Sequence, residues 1–124
     1  MIVLDYQDRR PIYEQVTDKF QILILNGILP PGSQMPSVRQ LATELSVNPN
    51  TIQRAYMELE KLGLIYPVKG RGNFVADSSQ VQKINRESYQ KEFAALIQKG
   101  RNTGFNREEL GKMMAEIFEK EDES

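Results

Sequence analysis

The sequence predicts a mainly α-helical fold that carries one small β-hairpin. Two observations lead to this prediction. Apolar residues recur at helical spacing in successive segments that are separated by proline- or glycine-rich breaks. Past the middle of the chain, two short runs rich in β-branched and aromatic residues flank the basic turn Lys69-Gly70-Arg71-Gly72. The length of 124 residues suits one domain or two small ones.

The first predicted helix begins near Pro11, because proline suits the first helical turn, where its missing N–H needs no partner. Gly27 ends the helical pattern, whose apolar positions are Ile12, Val16, Phe20, Leu23 and Ile24. The following segment, 29–36, holds three prolines and one glycine. It is therefore predicted to be a connecting loop that continues neither a helix nor a sheet.

Two further helices are predicted on either side of a sharp break at residues 47–49. Ser37 and Gln40 have the spacing of a capping box that starts a short helix. The apolar stripe of this second helix is Val38, Leu41, Ala42 and Leu45. Asn48 is a preferred N-cap and Pro49 a preferred first residue for the third helix, which Gly63 ends. The inward stripe predicted for the third helix is Ile52, Ala55, Tyr56, Leu59 and Leu62.

The sequence next predicts a hairpin and then a boundary. Residues 64–68 and 73–76 are predicted strands, joined by the four-residue loop 69–72. Pro67 cannot donate to a strand ladder, which places the first strand at a sheet edge. Asp77-Ser78-Ser79 marks a domain boundary, so the predicted domains are residues 1–76 and 77–124.

Two helices are predicted beyond the boundary, one from about Val81 to Lys99 and one capped by Asn106 with Glu109, with a turn at 100–104. A two-helix unit is too small to bury both of its apolar stripes. Pairing with a second copy of the chain is therefore predicted; the alternative is packing of the stripe on the chain's own first domain. The predicted dimerisation residues are Phe93, Leu96, Ile97, Leu110, Met113, Met114, Ile117 and Phe118.

Composition narrows the classes of function. The chain has no cysteine and no histidine, which removes disulfide frameworks, thiolate chemistry, and the commonest general base and metal ligand. Glu58 and Glu60 lie on a helix without a cofactor loop, so neither an enzyme nor a cofactor or metal is predicted. No apolar run could span a bilayer, and the first residues lack the pattern of a signal peptide; a cytoplasmic protein without membrane contact is expected.

The order helix, tight turn, helix and basic hairpin is that of a winged helix-turn-helix. A DNA major groove admits one helix, and the turn would hold the third helix so that its first half reaches base edges. The net charge is only −1, but residues 61–76 carry three cations and no acid. The hairpin could therefore lie along phosphates or enter a minor groove. Candidate contacts are Ser37, Arg39, Asn50, Thr51, Gln53, Arg54, Lys69, Gly70, Arg71 and Gly72.

Three alternatives remain open from the residues alone. The polar side of the third helix is also what an ordinary solvated helix face looks like, and Ser37 is also what a simple N-cap looks like. At the level of function, the alternative is a winged-helix module that binds protein and not DNA. The basic turn directly after a capped helix-turn-helix favours DNA.

The segment MPSVRQLATELSVNPNTIQRAYMELEKLGLIYPVKGRGNFVA resembles the DNA-binding domain of the GntR family of bacterial transcription regulators. The resemblance extends over residues 5–76. The two-helix tail resembles the YtrA-type subfamily, which lacks the large effector-binding domain of other members. The resemblance implies repression of nearby operons, often including genes for ABC transporters. The homodimer predicted from the tail would present two third helices to a near-palindromic operator of double-stranded DNA. A small-molecule effector between the tail helices or at the domain junction stays open, and its identity is not predicted.

The resemblance also implies roles for single residues. The family's phosphate- and base-contacting serine and arginine fall on Ser37 and Arg39. The polar residues that open the recognition helix fall on Asn48, Asn50 and Thr51, and the wing falls on Lys69, Gly70, Arg71 and Gly72. Many members carry arginine where this chain has Pro49 and Gln53, with Arg54 following one step later. This departure implies a different operator.

Overall fold

The computed structural model describes residues 2–123 and has a mainly helical architecture with one two-stranded antiparallel sheet. This confirms the predicted fold class. In chain order the elements are α1 (Ile12–Leu25), α2 (Val38–Leu45), α3 (Pro49–Lys61), β1 (Ile65–Val68), β2 (Gly72–Val75), α4 (Ser79–Thr103) and α5 (Arg107–Glu123).

The chain divides into two compact units, Met1–Lys83 and Ile84–Ser124. The first turn of α4 belongs to the first unit because two of its side chains are held there. Val81 packs against the hydrophobic core, and the Nε2 of Gln82 donates to the carbonyl oxygen of Leu25 at 2.9 Å. That carbonyl lies in the last turn of α1, where no intrahelical N–H is available. The predicted boundary between two functional domains, 1–76 and 77–124, stays a prediction.

The core of the first unit lies between α1, α2, α3 and the start of the hairpin. Phe20 of α1 meets Tyr56 of α3 edge to face, with ring centroids 5.9 Å apart. The Tyr56 hydroxyl donates to the carbonyl oxygen of Pro36 at 2.7 Å, so this buried polar group has a partner. Burial, together with the nearby Glu44 carboxylate, raises the pKa of the Tyr56 phenol above its ordinary value. The core thereby fixes α3 to α1 and to the segment that leads into α2.

The prediction that Leu62 belongs to the inward stripe of α3 is wrong. Its side chain is 43% exposed, whereas Leu64 is only 1% exposed. The reason is the way α3 ends: the helix stops at Lys61, and Gly63 adopts a φ of +76°. This left-handed residue turns the chain away from the helix axis, so that Leu64 enters the core in place of Leu62.

Two predicted turns also differ from the structure. The hairpin loop has three residues, since Val68 pairs directly with Gly72 and the latter belongs to β2. The helix α4 begins at Ser79, where Asp77 Oδ1 accepts from the Ser79 N–H at 3.1 Å, and it continues through Gly100 to Thr103. The predicted turn at 100–104 is therefore shorter, because the positive φ that ends the helix occurs at Gly104, not at Gly100.

The loop prediction for residues 29–36 is wrong in one respect: part of the segment joins the sheet. Gln34 forms an antiparallel bridge with Phe74 of β2. The flanking prolines lack an N–H, but residues 32–35 keep theirs, and these are free to pair with the open edge of β2. As predicted from Pro67, β1 lies at the other edge, with β2 as its strand neighbour.

Candidate nucleic-acid interface

The turn between α2 and α3 is tight and hydrogen-bonded. Ser46 ends α2 in the left-handed conformation, with a φ of 55°, and its N–H donates to the carbonyl of Thr43. The Val47 N–H donates to the carbonyl of Ala42 at 3.0 Å. Three residues thus reverse the chain, so the angle between α2 and α3 is set locally as well as by the core.

The helix α3 begins as predicted, with Asn48 as its N-cap and Pro49 as its first residue. The Oδ1 of Asn48 accepts from the Asn50 N–H at 2.8 Å, and Pro49 takes the first helical position. The buried positions of α3 are Ile52, Ala55, Tyr56 and Leu59. On the remaining side, Asn50, Gln53 and Arg54 are exposed and Thr51 is half-buried. The amide of Gln53 makes no hydrogen bond with residues 2–123 and is free to meet a partner.

The start of α2 has the predicted serine cap. The Oγ of Ser37 accepts from the Gln40 N–H at 3.0 Å. A hydroxyl has one donor and two acceptor lone pairs, so the cap leaves the Ser37 O–H able to donate to a phosphate. Arg39 lies in the same first turn with an exposed side chain. The two readings of Ser37, as a cap and as a phosphate donor, are compatible in this geometry.

The wing tip is held by one backbone bond, from the Arg71 N–H to the carbonyl of Val68 at 2.9 Å. Gly70 sits within this turn with a φ of +79°, a conformation that side-chain-bearing residues rarely adopt. Lys69 and Arg71 flank it with exposed side chains. The geometry brings two cations to the outermost point of the hairpin.

The cations of the candidate interface are not neutralised within the chain. Across residues 2–123, the side chains of Arg39, Lys69 and Arg71 form no ion pair. By contrast, Arg10 forms ion pairs with Asp8 and Asp18, and Lys61 forms one with Glu58. Three unpaired cations around the start of α2 and the wing suit an anionic partner such as a phosphate backbone.

The sequence analysis did not predict two contacts of the candidate interface, because each contact joins segments that are distant in the sequence. The guanidinium carbon of Arg54 lies 3.8 Å from the centroid of the Tyr13 ring on α1. The Nε2 of Gln34 donates to the carbonyl oxygen of Arg71 at 2.8 Å, which links the segment before α2 to the wing tip. No local pattern signals either contact, since each depends on how α1, α3 and the hairpin pack.

The tail helices expose most of their apolar side chains. In the unit Ile84–Ser124, Phe93 is 45% exposed and both Ile117 and Phe118 are 64% exposed. The predicted reciprocal capping box of α5 is confirmed: Asn106 Oδ1 accepts from the Glu109 N–H, and Glu109 Oε1 accepts from the Asn106 N–H. The remaining predicted dimerisation residues are exposed or half-buried; they are Leu96, Ile97, Leu110, Met113 and Met114.

The described residues hold neither a metal-ligand cluster nor a membrane-spanning helix. Within residues 2–123, no three His, Cys, Asp or Glu side chains are grouped as metal ligands would be. No helix in that range combines the length and the apolar character that crossing a membrane requires.

Residues 12–75 match the model of the family described as bacterial regulatory proteins, gntR family. The HTH-type transcriptional repressor YtrA of Bacillus subtilis (strain 168) is 35% identical over 119 residues, which cover 94% of this chain and 92% of that protein.

Two solved structures extend the comparison. A GntR family transcriptional regulator from Listeria monocytogenes is 34% identical, with a TM-score of 0.69, over 94% of this chain and 98% of the other. AraR(DBD) in complex with operator ORE1 is 32% identical, with a TM-score of 0.52, over 60% of this chain and 90% of the other.

Proposed function

The chain belongs to the gntR family of bacterial regulatory proteins, and we propose that it represses transcription by binding a near-palindromic operator as a homodimer. Membership makes it a transcriptional regulator of a DNA-binding family rather than an enzyme. The finer proposal concerns three points: how the chain reads DNA, why it dimerises, and why the outcome is repression. Its place of action is the bacterial cytoplasm, where operators lie.

The DNA contact rests on one observation above all. In the first turn of α2 and at the wing tip, the side chains of Arg39, Lys69 and Arg71 are exposed and find no acidic partner in residues 2–123. Phosphate oxygens would satisfy them, and such contacts set affinity and register without reading sequence. The Ser37 hydroxyl and the backbone N–H groups at the Asn48 end of α3 would add uncharged donors.

Sequence reading is assigned to the exposed side of α3. Asn50 and Gln53 have amides of the kind that bond adenine in a bidentate way, and Arg54 has the donors that suit guanine. Thr51 suits a phosphate or the methyl group of thymine. Each good bidentate contact discriminates against the wrong base by about 1–3 kcal/mol. The wing residues, Lys69 to Gly72, contact the sugar-phosphate backbone of DNA or enter its minor groove.

Dimerisation rests on the apolar side chains of α4 and α5. A stripe that includes Ile117 and Phe118 at 64% exposure is costly to leave in water. A second copy would cover it, and a two-fold dimer presents two copies of α3 to half-sites one DNA turn apart or more. A near-palindromic operator follows from that symmetry. Repression is proposed by likeness to the Bacillus subtilis repressor, which matches almost the whole chain.

The test is selection of bound sequences from a random duplex pool by the full chain. The expected result is one enriched motif with inverted half-sites, and binding whose log K falls by about 0.9 per phosphate contacted as log salt rises. A control with Arg39, Lys69 and Arg71 all changed to alanine should enrich nothing. A folded chain that binds no duplex at low ionic strength would instead support the alternative, a winged-helix module that binds protein.

A further inference from the structure

The segment before α2 pairs with β2 through the isolated bridge between Gln34 and Phe74 and the backbone hydrogen bonds beside it. The Gly32 N–H donates to the carbonyl of Val75, and the Val75 N–H donates to the carbonyl of Ser33, both at 2.8 Å. The Met35 N–H donates to the carbonyl of Asn73, also at 2.8 Å. These bonds fix the register of residues 32–35 along β2, and they end three residues short of the wing tip at Gly70.

The side chain of Gln34 extends this attachment to the tip. Its Nε2 donates to the Arg71 carbonyl at 2.8 Å, across 37 residues of sequence. The same Nε2 would lie 3.6 Å from a Cβ atom built on Gly72, so the amide rests directly against the loop backbone. Outside the strand ladder, the one other backbone bond at the tip within residues 2–123 is the turn bond from the Arg71 N–H to the Val68 carbonyl.

The other end of the segment is anchored in the core. The Met35 side chain is 3% exposed, and the next residue, Pro36, accepts the hydrogen bond of the buried Tyr56 hydroxyl. Ser37 then caps α2. Four consecutive residues, 34–37, therefore contact the wing tip, the core, α3 and the start of α2 in turn, so the position of Gln34 is fixed relative to both helices.

We propose that Gln34 is a positioning residue for the wing: its amide holds the Arg71 backbone so that the Lys69 and Arg71 side chains meet phosphates on the same duplex as α3. This rests on the proposed DNA binding. A loop that is ordered before binding loses less conformational entropy when it binds, which raises affinity without any new contact to DNA. Gln34 acts through the wing, and its own side chain is not assigned a contact with DNA.

Two variants of Gln34 separate this role from a general effect on the fold. Gln34→Ala removes the donor, and Gln34→Glu keeps the length but presents a carboxylate, which cannot donate to the Arg71 carbonyl. Gln80→Ala is the matched control, since Gln80 is an exposed glutamine at the start of α4, outside the candidate interface. Because position 34 is exposed, all three chains should fold, which thermal unfolding checks.

The first measurement needs no DNA. Backbone 15N relaxation of the full chain should show lower order parameters for the amides of residues 70–72 in both Gln34 variants, and unchanged ones in Gln80→Ala. Unchanged order at the wing tip of Gln34→Ala would overturn the proposal. This result stands even if the chain binds no duplex, so the failure of the proposed function and the failure of the wing contact are distinguishable.

The second measurement is a double-mutant cycle on binding to the selected duplex. Gln34→Ala alone should weaken binding about two- to tenfold, as expected for the ordering of a small number of side chains. In a chain that already carries Lys69→Ala and Arg71→Ala, the same change should have almost no further effect. An equal loss in both backgrounds would mean that Gln34 contacts DNA itself, and it would overturn the positioning role.

Discussion

The Arg54 guanidinium on α3 lies over the Tyr13 ring on α1, with its central carbon 3.8 Å from the ring centroid. A cation–π contact of this kind requires none of the five guanidinium N–H groups to donate, and the Arg54 side chain forms no hydrogen bond or ion pair within residues 2–123. The ring can therefore orient Arg54 without consuming its hydrogen-bonding capacity. This contact joins the helix that is expected to read DNA to the helix that supports it.

We predict that Arg54→Ala relaxes sequence preference, which repeated selection from a random duplex pool would measure. Tyr13→Leu is the matched variant: it keeps an apolar side chain under an intact Arg54 but removes the aromatic face. It should relax the preference less, since only the orientation of the guanidinium is lost. If Arg54→Ala lowers thermal stability and still selects the same motif equally strongly, Arg54 braces α3 against α1 and does not read bases.

Arg71→Ala should weaken binding to specific and random duplexes by a similar factor, because a phosphate contact carries no sequence information. The slope of log K against log salt should become shallower by about 0.9, the value for one phosphate contact. Arg101→Ala, an exposed arginine in the second unit, is the control and should leave the slope unchanged. If Arg71→Ala leaves the slope of log K against log salt unchanged, Arg71 does not contact a phosphate.

Removal of the tail should produce a monomer, which sedimentation equilibrium would detect. Two truncations are informative, one after Ala76 and one after Lys83. Both lack the stripe of α5, but only the longer one keeps Val81 and the bond from Gln82 to the Leu25 carbonyl. The shorter fragment should therefore be less stable by about 1–2 kcal/mol, as expected for one lost hydrogen bond and partial loss of an apolar contact.

A point variant tests the same interface in the complete chain. Phe118→Asp places a charge on a side chain that is 64% exposed in the single chain, so it should not disturb the fold of one copy. In the proposed dimer the charge would be buried without a partner, and the chain should become monomeric. If the chain stays dimeric after truncation of the tail or after Phe118→Asp, another surface joins the two copies.

Tyr56→Phe should lower the free energy of unfolding by about 1 kcal/mol at neutral pH, because the Pro36 carbonyl loses its donor. At alkaline pH the two chains should converge. The pKa of the phenol is raised above its ordinary value of 10.0 in the folded state, first by burial and then by Glu44. Folding therefore favours the neutral phenol, and this contribution is present below pH 10 and is lost as pH rises further.

Urea unfolding at several pH values between neutral and alkaline would measure this effect. The wild-type chain should lose stability above pH 10 more steeply than Tyr56→Phe, since the variant lacks the titrating group. The two chains share every other side chain, so the difference between their curves isolates Tyr56. Parallel curves for the two chains would contradict a raised pKa at Tyr56.

The local features of the fold could be predicted from the sequence. The N-caps at Ser37, Asn48 and Asn106 depend on residues two or three positions away, and each cap is present. The capping box predicted for Ser37 is only half formed, because the Gln40 side chain makes no hydrogen bond back to it within residues 2–123. The buried positions of α3 up to Leu59 follow from helical spacing alone. Short-range hydrogen bonding and periodicity are properties of the sequence itself, which is why these predictions succeeded.

The errors and omissions depend on tertiary structure. Leu62 fits the helical spacing, but the helix ends before it and Leu64 takes the place in the core. The strand character of Gln34 depends on an open edge of β2, and the partner of Arg54 depends on how α1 lies against α3. The sequence identifies which side chains of the candidate site have suitable chemistry, whereas packing decides which of them are held in place.

The capped start of α3 has a consequence for how binding specificity can diverge among related chains. Asn48 and Pro49 secure the first helical turn within the free protein, without help from a ligand. Association with a duplex should consequently show a heat-capacity change that buried surface alone accounts for, with no added contribution from folding. On such a preformed scaffold, replacing one outward side chain can change the preferred base pair while the backbone beneath it stays the same.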